Sequence, residues 1–384
     1  MSTKRNIVIV GAGFAGTSIA ASLSVKLDAA KYNLILLNSR PYAIPLPAAA
    51  RLVVSPSSKL EDSVFVPLDK LYKNGTGEIK VGIVKTIEEK KGGKGGTVVL
   101  ESGERVPYEI LVIASGSKWN GPLDLPEHER DVLPHVNAWR EKFAKATHVV
   151  LAGGGAVGIE LAGELKDEYP KTRVTIVQGN KQLLNATYPD SFRAGLEQRL
   201  RARGVEILFN EYIDDIPEKG SLGVTMRSGT QIPTADLVIS TRGPSPNTAF
   251  VASLGSSALS GSGYIKVKPT LQLLNNPYIF AAGDVIDWAE QKQAAKTKGH
   301  AAVVAANTKG HAAVVAANVL SLLEDKGASK VYGGSPELIV ITNGRNGGMA
   351  YFSFLWGFTL GDWFTRLVKS RGLMVGMFRS ALGY

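Results

Sequence analysis

Asn6-Ile7-Val8-Ile9-Val10-Gly11-Ala12-Gly13-Phe14-Ala15-Gly16 is the stretch that decides the fold. Four β-branched residues run straight into a Gly-x-Gly-x-x-Gly, and Thr17 to Leu23 then has the composition of a helix. A buried parallel strand looks like the first part. Each glycine has its own task. Gly11 makes the tight turn, Gly13 lets a pyrophosphate approach the backbone, and Gly16 lets helix and strand pack closely. Ala12, Phe14 and Ala15 lie between them, where a helix N-terminus offers free N–H groups and positive potential to phosphates. The stretch predicts a dinucleotide site; a βα turn that binds nothing is the alternative.

The pattern recurs. His148 to Ala152 is a second hydrophobic strand, and it leads into Gly153-Gly154-Gly155-Ala156-Val157-Gly158-Ile159-Glu160. Gly153, Gly155 and Gly158 repeat the first spacing and open a helix that runs to about Glu168. In the first unit, strands are expected over 78–88, 97–101 and 108–114, with the glycine-rich 90–96 as a hairpin turn. The second unit shows strand 173–177, helix 188–203, strand 205–209 and another meander ending at 237–243. Ser102 to Pro107 and Ser228 to Pro233 precede the terminal strands of the two halves in matching fashion. Two units of one plan imply two dinucleotides.

The strand ends are less regular. Asn38 and Gln178 stand where an acid usually holds an adenosine ribose. Asn38 can still hydrogen-bond a ribose without charge; at Gln178, with Asn180-Lys181 close behind, a 2′-phosphate is not excluded. Arg51, about one turn past Pro47, is placed either for a phosphate or flavin edge or as a solvated surface residue.

Composition narrows the chemistry. The chain of 384 residues has room for two or three domains at roughly 100–200 residues each. It contains no cysteine. That excludes a disulfide scaffold, a redox dithiol and a cysteine-ligated metal, so any redox chemistry resides in a bound cofactor; no metal site is expected. No signal or transit segment is expected before the first strand, and Ser2 breaks the N-myristoylation pattern. Net charge is +10, yet no run of five like charges and no nucleic-acid motif occurs. A mildly basic soluble surface accounts for that better than a nucleic-acid partner.

The order of motifs carries a resemblance. A first glycine fingerprint is followed by Ala114-Ser115-Gly116, a second fingerprint, Pro246-Asn247-Thr248, and Tyr278-Ile279-Phe280-Ala281-Ala282-Gly283-Asp284. Ala49-Ala50-Arg51, Val81-Gly82-Ile83 and Thr365 to Arg371 add to it. Over almost its whole length the chain resembles the two-dinucleotide-binding flavoprotein oxidoreductases. Within them it is most similar to the ferroptosis-suppressor branch of the apoptosis-inducing-factor-like group. The resemblance implies an α/β fold with two Rossmann-like domains, for FAD and for NADH or NADPH, each with a β-meander, plus a small α+β C-terminal domain. The expected boundaries are 1–120 with 247–325, 121–246, and 326–384. Gly11, Gly13, Gly16, Arg51, Val81, Ala114 to Gly116 and Gly283-Asp284 would hold FAD. Gly153, Gly155, Gly158, Gln178 and Gly243 would hold the nicotinamide cofactor. Lys292 would stabilise the reduced flavin, and Glu160 would lie beside nicotinamide and flavin. The implied activity is hydride transfer from NAD(P)H to FAD and electron transfer to a quinone-like acceptor. A reductase of a small iron–sulfur carrier, an NAD(P)H oxidase, and a cofactor-stabilised DNA-binding or interaction protein are the alternatives. The chain is expected in the cytoplasm, as a monomer or homodimer.

Two stretches stand apart. Residues 349–380 are aromatic and basic, a candidate for membrane-surface contact and equally for core-facing structure; the uncharged run is too short to span a bilayer. Thr297–Asn307 is repeated without change in Thr308–Asn318. The first copy, continuous with Lys292, is expected beside the flavin, with strain near 308–310.

Overall fold

The computed structural model describes residues 4–72, 75–90, 92–217, 221–292, 310–354 and 357–384. Its first sheet has five parallel strands in the order Ile279–Ala281, Ile110–Ile113, Arg5–Val10, Tyr32–Asn38, Glu78–Val81. The central strand is apolar at successive positions because both of its faces are covered: Ile7 to Val10 are all buried. Helix Phe14–Ser24 returns over the first two strands and packs against helix His311–Leu323. The strand Ile279–Ala281 joins this sheet after the whole second unit has intervened.

The expected strand 78–88 is two strands. Glu78–Val81 belongs to the parallel sheet, whereas Val84–Glu89 opens an antiparallel meander with Gly96–Leu100 and Arg105–Tyr108. The chain bends at Gly82. A β-carbon there would lie 2.6 Å from Leu100 Cδ1, and its N–H is bonded to Asn38 O at 2.8 Å.

The second sheet is also parallel, in the order Val205–Phe209, Arg173–Gln178, His148–Ala152, Leu237–Ser240. Its meander is thinner than expected: among the described residues it amounts to Val224–Thr225 paired with Gln231–Ile232. Helix Asp190–Ala202 starts two residues later than expected, after Pro189. The two units are joined where Ser117–Lys118 pairs antiparallel with Ser245–Pro246.

The C-terminal strands Leu338–Thr342, Gly348–Phe352 and Phe358–Leu360 form an antiparallel sheet. The aromatic stretch is thus largely core-facing. Ile341, Met349, Leu373 and Val375 pack with the second sheet and with Ala49–Val54. Phe378 and Leu382 pack with the first sheet, and the Phe378 ring lies 4.7 Å from that of Phe14. Trp363 and Leu367 remain outside, 67 % and 77 % exposed. No helix among the described residues is long and apolar enough to cross a membrane.

Of the duplicated segment, residues 297–307 lie outside the described residues. The helix beside the first sheet is built from the second copy, starting at Gly310, and it is this copy's His311 that meets Gly283. The expectation that the first copy lies beside the flavin, with strain near 308–310, falls outside the described residues. The second copy continues directly into Val319 to Leu323, which pack on the first core.

Candidate active site

The C-terminal ends of each parallel sheet open into a cleft, as the geometry of such sheets requires. At the first, the three glycines differ in what a side chain would meet. Gly11 has φ +101°, and a β-carbon would lie 2.4 Å from Ala114 O. At Gly16 it would lie 1.8 Å from Gly11 O. At Gly13 it would meet nothing within 4 Å. Gly11 and Gly16 are needed by the fold, whereas Gly13 keeps space free. Helix Phe14–Ser24 begins there with no side-chain cap and no acid in its first turn, so its N–H groups face the cleft. Phe14 and Ala15 contribute backbone only, since the Phe14 ring faces Phe378 and Ala15 is buried.

This cleft, of ≈ 730 Å³, is lined by Gly11 to Gly13, Asn38, Arg40, Lys85, Ser115 to Lys118 and Phe250, among others. Asn38 lines it with its amide engaged: Oδ1 accepts the Ala12 N–H at 3.1 Å, and Nδ2 donates to Arg40 O and Tyr42 O. It shapes the loop. Arg40, which sequence reasoning missed, donates to Pro126 O and keeps its Nε buried without a partner. Burial pulls its pKa down, the mark of a cation that an anion would suit. Its place two residues past the strand end was the available signal. Ser115 Oγ donates to Asn247 O at 2.6 Å and Gly116 turns at φ +72°, which ties the crossing strands together.

The second cleft, of ≈ 470 Å³, repeats the arrangement. Gly153 has φ +135° against Thr241, and a β-carbon on Gly158 would lie 2.1 Å from Gly153 O. Gly155 again faces open space, at the uncapped start of helix Ala156–Glu168. Gln178 Oε1 accepts the Gly154 N–H at 2.9 Å, and its Nε2 donates to Gln182 O and Leu184 O. Gly243, Asp284 and Lys292 line this cleft. Gly283 turns at φ +80° and donates its N–H to His311 Nδ1. Burial pushes the Asp284 carboxyl up, against the pull of a 2.8 Å hydrogen bond from Ser117 and of the Lys292 charge. Lys292 Nζ donates to Ile286 O at 2.7 Å. Trp119 lines both clefts, its indole N–H buried and without a partner.

Three expected residues stand elsewhere. Arg51 is not on the flavin-side cleft. It makes a buried two-pronged pair with Glu164, both bonds 2.8 Å, and donates to Ser370 O and Arg371 O. The helix that carries it packs on helix Ala156–Glu168 rather than pointing across the sheet end. Val81 is exposed, and that part of the cleft wall is formed by the residues after the strand end, Gly82 to Lys85. Glu160 is not among the residues lining the second cleft. It lies one turn beyond Ala156, where Oε1 accepts from Lys369 Nζ at 2.6 Å and from the Thr342 N–H at 3.1 Å. Lys369 was missed as a partner. Glu160, Glu164 and Glu168 thus form one row on the helix, met by Lys369, Arg51 and Arg345.

The arrangement suits two dinucleotides lying toward each other, with phosphates at Gly13 and Gly155 and reacting rings near Trp119, Asp284 and Lys292. Comparison with known proteins agrees on the fold class and on FAD with NAD(P)H as cofactors. Residues 5–308 match the model of a family described as pyridine nucleotide-disulphide oxidoreductase. An FAD-dependent oxidoreductase of Flammulina velutipes is 43 % identical over 332 residues, 86 % of this chain and 99 % of that protein. Ferroptosis suppressor protein 1 of Mus musculus is 26 % identical over 96 % of this chain and 94 % of its own. Among solved structures, the sulfide:quinone oxidoreductase of Aquifex aeolicus superposes with a TM-score of 0.73 at 18 % identity, covering 98 % of this chain and 90 % of that one.

Proposed function

Since this chain belongs to the pyridine nucleotide-disulphide oxidoreductase family, we propose that it is an FAD-dependent NAD(P)H oxidoreductase whose electron acceptor is quinone-like. The observation that carries this is the pair of open glycine positions, Gly13 and Gly155, at two clefts that meet at Trp119. When bound, the nicotinamide supplies a hydride and the flavin takes it and hands electrons on singly or in pairs. The chain's own residues bind, orient and set charge. The two uncapped helix starts hold the pyrophosphates, and Arg40 adds a cation on the FAD side. Asp284, held by Ser117, accepts from a cofactor hydroxyl. Lys292, fixed by two backbone carbonyls, places positive charge near the flavin end of the second cleft. Glu160 is a positioning residue: locked by Lys369, it ties the helix behind the second loop to the C-terminal sheet.

With no cysteine in the chain, a protein dithiol relay is absent, which favours a small diffusible acceptor. The likeness to a ferroptosis suppressor protein and to a sulfide:quinone oxidoreductase supports the quinone. The purified protein should be yellow, with one FAD per chain. Its NAD(P)H oxidation should rise several-fold on adding a water-soluble ubiquinone analogue. Turnover indifferent to quinone but raised by a small iron–sulfur protein would move the acceptor to that class, and a colourless protein would end the proposal.

A further inference from the structure

Gln178 ends its strand where a ribose-binding acid is usual, yet its amide is fully occupied within the glycine loop and by Gln182 O and Leu184 O. It cannot turn to a ribose without giving up three hydrogen bonds. The adjacent strand supplies an alternative. Val205–Phe209 pairs with Arg173–Gln178, and two residues beyond its end the Glu211 N–H bonds to Gln178 O at 3.2 Å. Glu211 lines the same cleft as Gly155, Gln178 and Gly179. It is half-buried, and its carboxylate makes no hydrogen bond or ion pair among the described residues. Beside it the Tyr212 ring lies over Gly179 so closely that a β-carbon there would sit 2.0 Å from it.

We propose that Glu211 is the acid that reads the adenosine ribose and makes this protein prefer NADH over NADPH. The inference rests on the second cleft being the NAD(P)H site. An unpaired carboxylate accepts from a ribose 2′-hydroxyl and repels a 2′-phosphate across the same gap. Its position fits the sheet order. An adenosine bound past the end of Arg173–Gln178 would lie next to the strand Val205–Phe209, from which Glu211 extends. The competing charge is Arg242, which also lines the cleft and reaches Asp214 O at 3.4 Å from the strand on the opposite side.

The test measures flavin reduction in the intact holoprotein, by stopped flow, with NADH and NADPH separately. The wild type should favour NADH. Glu211→Gln should lower the NADH-over-NADPH ratio by about tenfold or more, mainly through apparent affinity, while the limiting reduction rate and FAD content stay unchanged. Glu211→Asp should restore part of the preference. A ratio unmoved by Glu211→Gln, a wild type that favours NADPH, or a ratio that shifts only in Arg242→Gln would each overturn the assignment. If neither nucleotide reduces the wild-type flavin, it is the reading of the cleft that has failed.

Discussion

At the scale of single residues, the glycines separate fold from function. Gly13→Val places its side chain where the protein has no atoms, at φ −74°, a value any residue adopts. The apo chain should keep its unfolding free energy within about 0.5 kcal/mol, while the purified variant carries no flavin absorbance. Gly16→Val drives the side chain into Gly11 O and should cost more than about 3 kcal/mol, with loss of soluble protein. Equal flavin content in Gly13→Val and wild type would refute the division. These roles were legible in the sequence because each glycine answers to neighbours within a few residues. Arg51 was not, because its partner Glu164 lies 113 positions away, and no local pattern encodes that meeting. The pair also makes a pH prediction. Burial raises the Glu164 carboxyl above its ordinary value despite Arg51. A raised carboxyl contributes stability below the unfolded pKa that is lost as pH rises through the folded one. Arg51→Met removes the opposing cation and raises it further. The variant should therefore lose about 3–5 kcal/mol near neutral pH, with the deficit narrowing in denaturation curves toward about pH 5. A deficit that grows on acidification would contradict this.

At the scale of elements, strand pattern and order were readable, but where a strand changes sheets was not. The split at Gly82 depends on Leu100, on another strand of the meander. The duplicated segment is the other case. Gly283 N bonds to His311 at 3.0 Å and Glu290 approaches the same ring at 3.1 Å, so the residues that connect 292 to 310 need span little distance. Deleting either copy yields the same shorter sequence. The six residues left between Lys292 and the glycine that opens the helix reach up to about 20 Å. The single-copy protein should retain FAD and the helix, with stability unchanged or raised by about 1 kcal/mol from the shorter closure. A loss of flavin or a melting temperature several degrees lower would show that the duplication is a working part of the protein.

At the scale of the molecule, the C-terminal segment has two faces. Truncation before Met349 removes residues from both cores and should give insoluble protein rather than a soluble enzyme lacking quinone turnover. The gentler probe is Trp363→Ser with Leu367→Ser, both side chains being exposed. Stability should change by no more than about 0.5 kcal/mol per site. Partition onto anionic liposomes, and turnover with a long-tailed quinone, should fall; unchanged values in both would remove this face from acceptor delivery. The core-facing half carries a further consequence. Phe14, beside the first phosphate loop, rests on Phe378, and Arg51 is bonded to the carbonyl of Arg371, 320 positions later. On the ribosome the first glycine loop emerges long before Phe378, the ring that supports the start of its helix. Nascent chains stalled before residue 370 should therefore hold FAD more weakly than chains that include Phe378, a difference that flavin fluorescence of the stalled complexes would read.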